Sequence, residues 1–274
     1  MGIKITIICT AVLVSAVLLY MYFIFPSRKK RLPDSFVGRI IAHRGIHDDS
    51  DVGENSITAF RLAMEMGLPI ELDVNLSADG VPMVVHDGNL SRLCGVDKHV
   101  RQLSADELSH LTLTKGGEHI PTLTEVLRYV DGAVPLLIEL KGTDTAPVAA
   151  RVAELLSSYM GDVAVQSFNP YHLMRFRRLM PRVPLGFLSE NRVTKGLRGL
   201  PFAMMSRSMC FNFLFRPDFI SYRYSDRLTL SVRLCLMLGI KVFGWTVRGG
   251  EEITKYRNCF DSLICEGMSD SVMY

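Results

Sequence analysis

The sequence lacks any CxxC pair and any cysteine spacing that reads as a disulfide framework. Its six cysteines, Cys9, Cys94, Cys210, Cys235, Cys259 and Cys265, are scattered and read as reduced, mostly buried small hydrophobes. No glycine-rich phosphate loop follows any strand pattern, which weighs against a nucleotide-binding sheet. No basic stripe interleaved with aromatics occurs either, so nucleic acid is not a favoured partner. The 12 prolines and 21 glycines form no low-complexity stretch, and 48% hydrophobic against 22% charged residues excludes a disordered chain.

What the sequence does have is one long apolar run. Residues 5–25 carry no charge, and a helix of that length spans roughly the 30 Å hydrocarbon core of a bilayer. This predicts one N-terminal transmembrane helix. A cleaved signal peptide is the rival reading. Against it, the run exceeds the usual 7 to 15 residues, only Lys4 leads it, and no small-x-small cleavage site precedes Pro26. Arg28, Lys29, Lys30 and Arg31 follow the span directly, and basic residues stay cytoplasmic, so the expectation is a single-pass membrane protein with its body in the cytoplasm. The same charges suit anionic lipid headgroups. Removing Lys4 and these four from the 31 basic residues leaves 26 against 28 acidic ones, so the formal +3 of the whole chain becomes −2 for the body. The organisation expected is an anchor with basic flank over residues 1–31, a linker over 32–38, and one large domain over 39–274.

That domain alternates strand and helix patterns. Strands are expected at 39–42, 70–74, 135–140, 163–166, 183–188, 219–221, 241–245 and 262–265. Helices are expected at 55–67, 104–111, 122–129, 146–159, 171–179, 228–238 and 251–256. Asp79-Gly80 before the apolar run 81–85 predicts a hairpin-like excursion after the second strand. About eight strand–helix units in about 240 residues fit an α/β fold of the TIM (β/α)₈ barrel type better than an open sheet.

Active sites of such barrels sit at the C-terminal ends of the strands, where the apolar runs here give way to polar residues. The first strand ends in His43-Arg44-Gly45. The second carries Glu71 and Asp73, which share a face at i and i+2. The excursion ends in His86-Asp87, the next strand delivers Glu139 and Lys141, and Gln166-Ser167-Phe168 and Trp245-Thr246-Val247 end two later ones. Glu71, Asp73 and Glu139 form a donor set for one hard divalent cation, Mg²⁺ or Ca²⁺; zinc would be expected to recruit histidine or cysteine. His43 and His86 suit an acid–base pair, and Arg44 and Lys141 suit a phosphoryl anion.

These residues, together with Glu54-Asn55-Ser56, Ala59-Phe60, Ile120-Pro121-Thr122-Leu123 and the order in which they occur, resemble the glycerophosphodiester phosphodiesterase family from about residue 40 onward. Gly53 departs from the family's usual proline and Ser56 from its threonine. The resemblance implies a TIM-barrel hydrolase that converts a glycerophosphodiester to glycerol 3-phosphate and an alcohol. Glu71, Asp73 and Glu139 would be its metal ligands and His43 and His86 its acid–base residues, with Arg44, Lys141, Gln166, Phe168 and Trp245 around the substrate. In the family scheme the glycerol 2-hydroxyl attacks phosphorus, and water then opens the cyclic phosphate. A lysophospholipase D-type activity on a lipid-tailed substrate is the alternative, favoured if the methionine- and phenylalanine-rich segment 202–215 forms an apolar surface near the rim rather than a helix packed on the sheet. A non-catalytic membrane-anchored binding protein is disfavoured, because no expected catalytic or metal position is lost. Nothing in the sequence sets an oligomeric state.

Overall fold

The computed structural model describes residues 2–27, 29, 31–48, 50–142, 147–191 and 199–267. Arg28 and Lys30 of the basic flank, and Ala146, lie outside them.

Among the described residues nine strands alternate with helices: β1 (Ile40–His43), β2 (Ile70–Leu76), β3 (Pro82–Val84), β4 (Leu136–Leu140), β5 (Val163–Ser167), β6 (Leu185–Ser189), β7 (Phe219–Arg223), β8 (Lys241–Arg248) and β9 (Ser262–Glu266). Eight of them pair in parallel in the order β1-β9-β8-β7-β6-β5-β4-β2, and the β1–β2 pairing closes the ring. This is the expected TIM barrel. β3 is the exception. It pairs antiparallel with β2, as the turn at Asp79-Gly80 requires, and opens a lobe with its own apolar core of Met83, Val85, Leu90, Leu93, Val100, Leu103, Leu108, Leu113 and Ile120. The excursion is thus larger than a hairpin.

The helices follow from local chemistry. Leu123–Val130 opens on a Thr122–Glu125 capping box and buries Leu123, Val126, Leu127 and Val130, one face at helical spacing. Ile57–Glu65 is capped by the Ser56 side chain, which accepts from the Ala59 amide at 3.1 Å. Pro170–Leu179 begins with proline after an Asn169 cap.

The period-2 alternation of strands decides what fills the barrel. One set of side chains, including Ala42, Leu72, Ile138, Val165, Ile220 and Val242, packs outward with the helices. The other makes an apolar floor of Ile41, Leu137, Ala164, Phe219, Phe243 and Ile264. Two residues further along these strands stand His43, Glu139, Gln166, Ser221, Trp245 and Glu266, so the polar layer lies directly on the apolar one. Gly186 on β6 leaves room for this floor; a Cβ there would come within 2.1 Å of the Phe219 ring. Residues 32–38 run beneath it, with Phe36 fully buried among the floor residues and the Gly38 amide donating to Asp261 O at 2.7 Å.

The N-terminal helix Gly2–Ile24 has a mean hydropathy of 2.5 and is almost wholly exposed. Its last turn is docked. Ile24 is buried in the main core, the Tyr20 hydroxyl donates to Ser208 O at 3.0 Å, Asn212 Nδ2 donates to Ile24 O at 3.1 Å, and Phe23 meets Phe213 edge-on. The segment expected as one barrel helix or an apolar surface is divided. Helices Gly199–Arg207 and Asn212–Phe215 are separated at Met209, which has a φ of 61°. Met209, Phe211 and Phe215 are buried, Phe213 and Leu214 half-buried, and Met204 and Met205 exposed.

Candidate active site

The rim is assembled by register. His43 pairs with Glu71 across β1 and β2, and Asp73, Glu139 and Gln166 stand side by side across β2, β4 and β5. His43, Arg44, Glu71, His86, Glu139, Lys141, Gln166, Phe168 and Trp245 all line one cavity of about 240 Å³. Asp73, fully buried, reaches it through Lys141 Nζ at 3.1 Å and Arg44 Nε at 3.2 Å. All ten residues picked out from the sequence are therefore brought together.

The turn after β1 carries strain at the site. Arg44 has φ 58°, Gly45 φ 79° and Asn55 φ 57°. This turn lets the Arg44 amide donate to Glu71 Oε2 at 3.2 Å, and lets Asn55 Nδ2 donate to Asp73 Oδ2 at 3.0 Å. A Cβ on Gly45 would lie 2.8 Å from the Ala59 backbone and side chain. Gly45→Ala is accordingly expected to destabilise the protein by about 1–3 kcal/mol, because the left-handed backbone and the close approach both resist a side chain. Thermal unfolding checks this; an unchanged midpoint would contradict it.

Three buried carboxylates dominate the electrostatics. Burial pushes the Glu71 carboxyl well above the ordinary carboxylate range, and the charges of Asp73 and Glu139 add to the effect. Burial pushes Glu139 up to about 7, against the pull of Lys141, whose Nζ lies 2.7 Å from Oε1. Asp73 is buried too, but Lys141 and Arg44 outweigh that and hold it well below its ordinary value. One oxygen of each carboxylate lies within 4.8 Å of the others, so the group can hold a metal ion. The donor set fits a hard cation: all oxygen, buried, and with two of the three carboxyls driven up chiefly by that burial.

Each histidine is clamped at Nδ1 by a carboxylate. His86 Nδ1 lies 2.6 Å from Asp87 Oδ1, and His43 Nδ1 contacts Glu266 Oε1. With the Nδ1 proton directed at the carboxylate, Nε2 is the basic nitrogen of both rings. Burial lowers the basicity of both histidines, with Glu266 offsetting it at His43 and Asp73 at His86. Glu266 is itself held down to about 2, because His43 and Arg248 outweigh its burial. Glu266 was not singled out from the sequence, although it ends the last apolar run just as His43 ends the first. Outside the histidines a chain of ion pairs runs Asp87–Arg92–Glu54–Arg44, with contacts of 2.6 to 2.8 Å, and tethers the β3 lobe to the rim. A second cavity of about 670 Å³ adjoins the first, sharing Arg44, His86, Arg248 and Glu266, and adds Asp48, Glu54, Asp87, Arg92 and Lys115.

Phe168 and Trp245, at 5.4 Å edge to face, close the other side of the inner cavity. Such a rim can meet a singly charged, doubly esterified phosphorus: carboxylates for a hard cation, two fixed cations for phosphate oxygens, and an imidazole for each of two bridging oxygens. The fold and the site define a hydrolase of the phosphodiesterase class.

The chain belongs to the glycerophosphoryl diester phosphodiesterase family, whose model matches residues 43–260. It is 30% identical over 228 residues to the glycerophosphodiester phosphodiesterase of Caldanaerobacter subterraneus subsp. tengcongensis, covering 79% of this chain and 88% of that protein. Among solved structures, a glycerophosphodiester phosphodiesterase from Parabacteroides distasonis superposes with a TM-score of 0.68 at 26% identity, covering 83% of this chain and 92% of that one. The fold is also that of an Oleispira antarctica phosphodiesterase solved in complex with its product sn-glycerol-3-phosphate, with a TM-score of 0.71 at 24% identity over 84% and 93% of the two chains.

Proposed function

We propose that the barrel cleaves a small glycerophosphodiester to glycerol 3-phosphate and a polar alcohol, with His43 and His86 as the acid–base pair. The observation that carries this reading is the matched pair of carboxylate-clamped imidazoles on one cavity wall with the three carboxylates. One neutral imidazole accepts the proton of the attacking hydroxyl at Nε2, and the other, protonated, delivers its Nε2 proton to the departing alkoxide. When the glycerol 2-hydroxyl is the attacking group, the phosphorus–oxygen bond to the alcohol breaks as the cyclic bond forms. Water then opens the ring with the two histidines in exchanged roles. Arg44 and Lys141 hold non-bridging oxygens, and their ion pairs with Asp73 and Glu139 fix both cations before substrate arrives. Glu71, Asp73 and Glu139 would hold one divalent cation, Mg²⁺ or Ca²⁺, which when bound supplies charge neutralisation at phosphate.

The charged outer cavity favours a small polar alcohol over an acyl chain. No described residue of the segment Gly199–Phe215 lines either cavity; its Phe213 lies against the N-terminal helix instead. The lysophospholipase D-type alternative therefore gains no support from the described residues of that segment. Purified protein is expected to release glycerol 3-phosphate from glycerophosphocholine only with Mg²⁺ or Ca²⁺ present, and at least about tenfold more slowly from lysophosphatidylcholine, the least discrimination expected of a charged pocket against an apolar chain. Equal rates on the two would sink the polar-alcohol reading. Cation-independent release would sink the metal site.

We also read the N-terminal helix as a retained single-pass anchor that keeps the barrel in the cytoplasm. Its buried Ile24 and the bonds from Asn212 and Arg216 to its last carbonyls support retention, because cleavage before Pro26 would strip these partners from the barrel. Lys29 and Arg31 after the span support the orientation.

A further inference from the structure

Between the end of the N-terminal helix and the barrel lies a cleft of about 610 Å³ that takes no part in the chemistry above. Its lining is divided. Leu18, Met21, Tyr22 and Phe25 form an apolar wall, and Lys29, Arg31 and Arg216 a cationic one. Leu18 and Tyr22 are 64% and 58% exposed, so the wall is open along the helix.

Positive charge is in excess here. Asp218 is the nearby carboxylate, and it is already shared between Arg31 at 2.8 Å and Arg177 at 2.5 Å. Arg216 donates to Tyr22 O at 2.8 Å and Phe25 O at 3.0 Å, and its guanidinium lies 4.7 Å from the Tyr22 ring centroid. Those acceptors are uncharged, so its charge is not cancelled. Lys29 is exposed and paired with no carboxylate among the described residues.

A cationic recess beside an apolar wall complements one kind of molecule, provided the wall continues into a bilayer. The wall is the last two turns of the long apolar helix, and the helix remains exposed and apolar toward its start, through Leu13 and Val12. We infer that the cleft binds an anionic phospholipid, with its phosphate among Lys29, Arg31 and Arg216 and one acyl chain along Leu18, Met21 and Tyr22. This rests on the reading of the helix as a retained anchor. A lipid held there fixes the barrel against the membrane surface through a site that shares no lining residue with the catalytic cavity.

The test uses the full chain reconstituted in phosphatidylcholine vesicles carrying a trace of spin-labelled phosphatidylglycerol or spin-labelled phosphatidylcholine. The motionally restricted fraction is expected to be about fivefold or more larger for the phosphatidylglycerol label. Lys29→Gln should cut that preference about fivefold, as the loss of one cation near the surface does, while Lys4→Gln at the other end of the helix leaves it unchanged. Equal fractions for the two labels, or a preference untouched by Lys29→Gln, overturns the site. Displacement of the label by inorganic phosphate would make it a phosphate site and overturn the lipid. Extraction of the chain by alkaline carbonate would instead overturn the anchor reading, so the two failures are separable.

Discussion

Alanine at His43 is expected to lower kcat/KM on glycerophosphocholine by about 10²–10⁴-fold, the range a positioned proton-transfer group supplies, and alanine at His86 by a similar factor. The double variant should lose little more than the worse single one, because both imidazoles serve the same proton transfers. Glu266→Gln is expected to give a smaller loss, about 10–100-fold, through the orientation of His43 rather than through contact with substrate. It also carries a signature that a merely structural role would not. The Glu266 carboxylate stabilises the His43 imidazolium, so its removal lowers the His43 pKa further, and the limb of the pH profile set by His43 moves to lower pH. A stability effect follows with the opposite probe. Glu266 is held down to about 2 from an ordinary 4.5, so its contribution is present above pH 4.5 and lost as pH falls toward 2, an acid-limb loss that Glu266→Gln should lack. Full activity in His43→Ala would remove the acid–base assignment, and an unshifted profile in Glu266→Gln would remove its positioning role.

The rim was legible because strand periodicity does two things at once. The i, i+2 spacing that puts Leu137 in the floor puts Glu139 in the layer above it, and the same step takes Ala164 to Gln166 and Phe243 to Trp245. A polar residue two positions beyond an inward apolar one is thus a rim residue, which covers Glu139, Gln166 and Trp245, while Glu71 and Asp73 follow from the same period as an i, i+2 pair on one face of β2. Applied to the last strand it also reaches Glu266, two residues beyond Ile264. Less was visible where no period exists. Phe36 plugs the barrel from below, yet in Pro33-Asp34-Ser35-Phe36 it is a single aromatic in a polar stretch, which reads as linker. The β3 lobe buries leucines on short turns such as Ser91–Cys94, too brief for a 3.6-residue period to register. The break at Met209 is likewise invisible, because a left-handed methionine is imposed by packing and not by its own preference. Nor does hydropathy reveal that the apolar helix is docked at its end, since Asn212 and Arg216 make those bonds from 188 and 194 residues away in sequence.

The metal site makes the second large prediction, and its sign runs both ways. Glu139→Gln removes one of three donors and should lower cation-dependent turnover by about 10³-fold or more, as loss of several kcal/mol of transition-state charge stabilisation implies. In the chelated protein the same change should stabilise the fold. Glu139 is raised from 4.5 to about 7, so the stability of the folded state with this carboxyl neutral is fully present below pH 4.5 and is lost progressively as pH rises to about 7, at a cost on the order of 3 kcal/mol. Glutamine does not titrate. Comparing the variant with the parent cancels the opposing contributions of His43 and His86, whose lowered pKa values act in the same pH region. Without divalent cation, the unfolding midpoint of Glu139→Gln should therefore rise above that of the parent from pH 4.5 onward and lead by roughly 5–10 °C at pH 8. Saturating Mg²⁺ or Ca²⁺ should reverse the order, since a cation bound only by the folded parent stabilises it by mass action. The gap originates in the burial of Glu139, to which the Asp73 charge adds, so a midpoint difference that is flat with pH would remove that origin, and a cation effect equal in both proteins would show that the three carboxylates do not form the cation site.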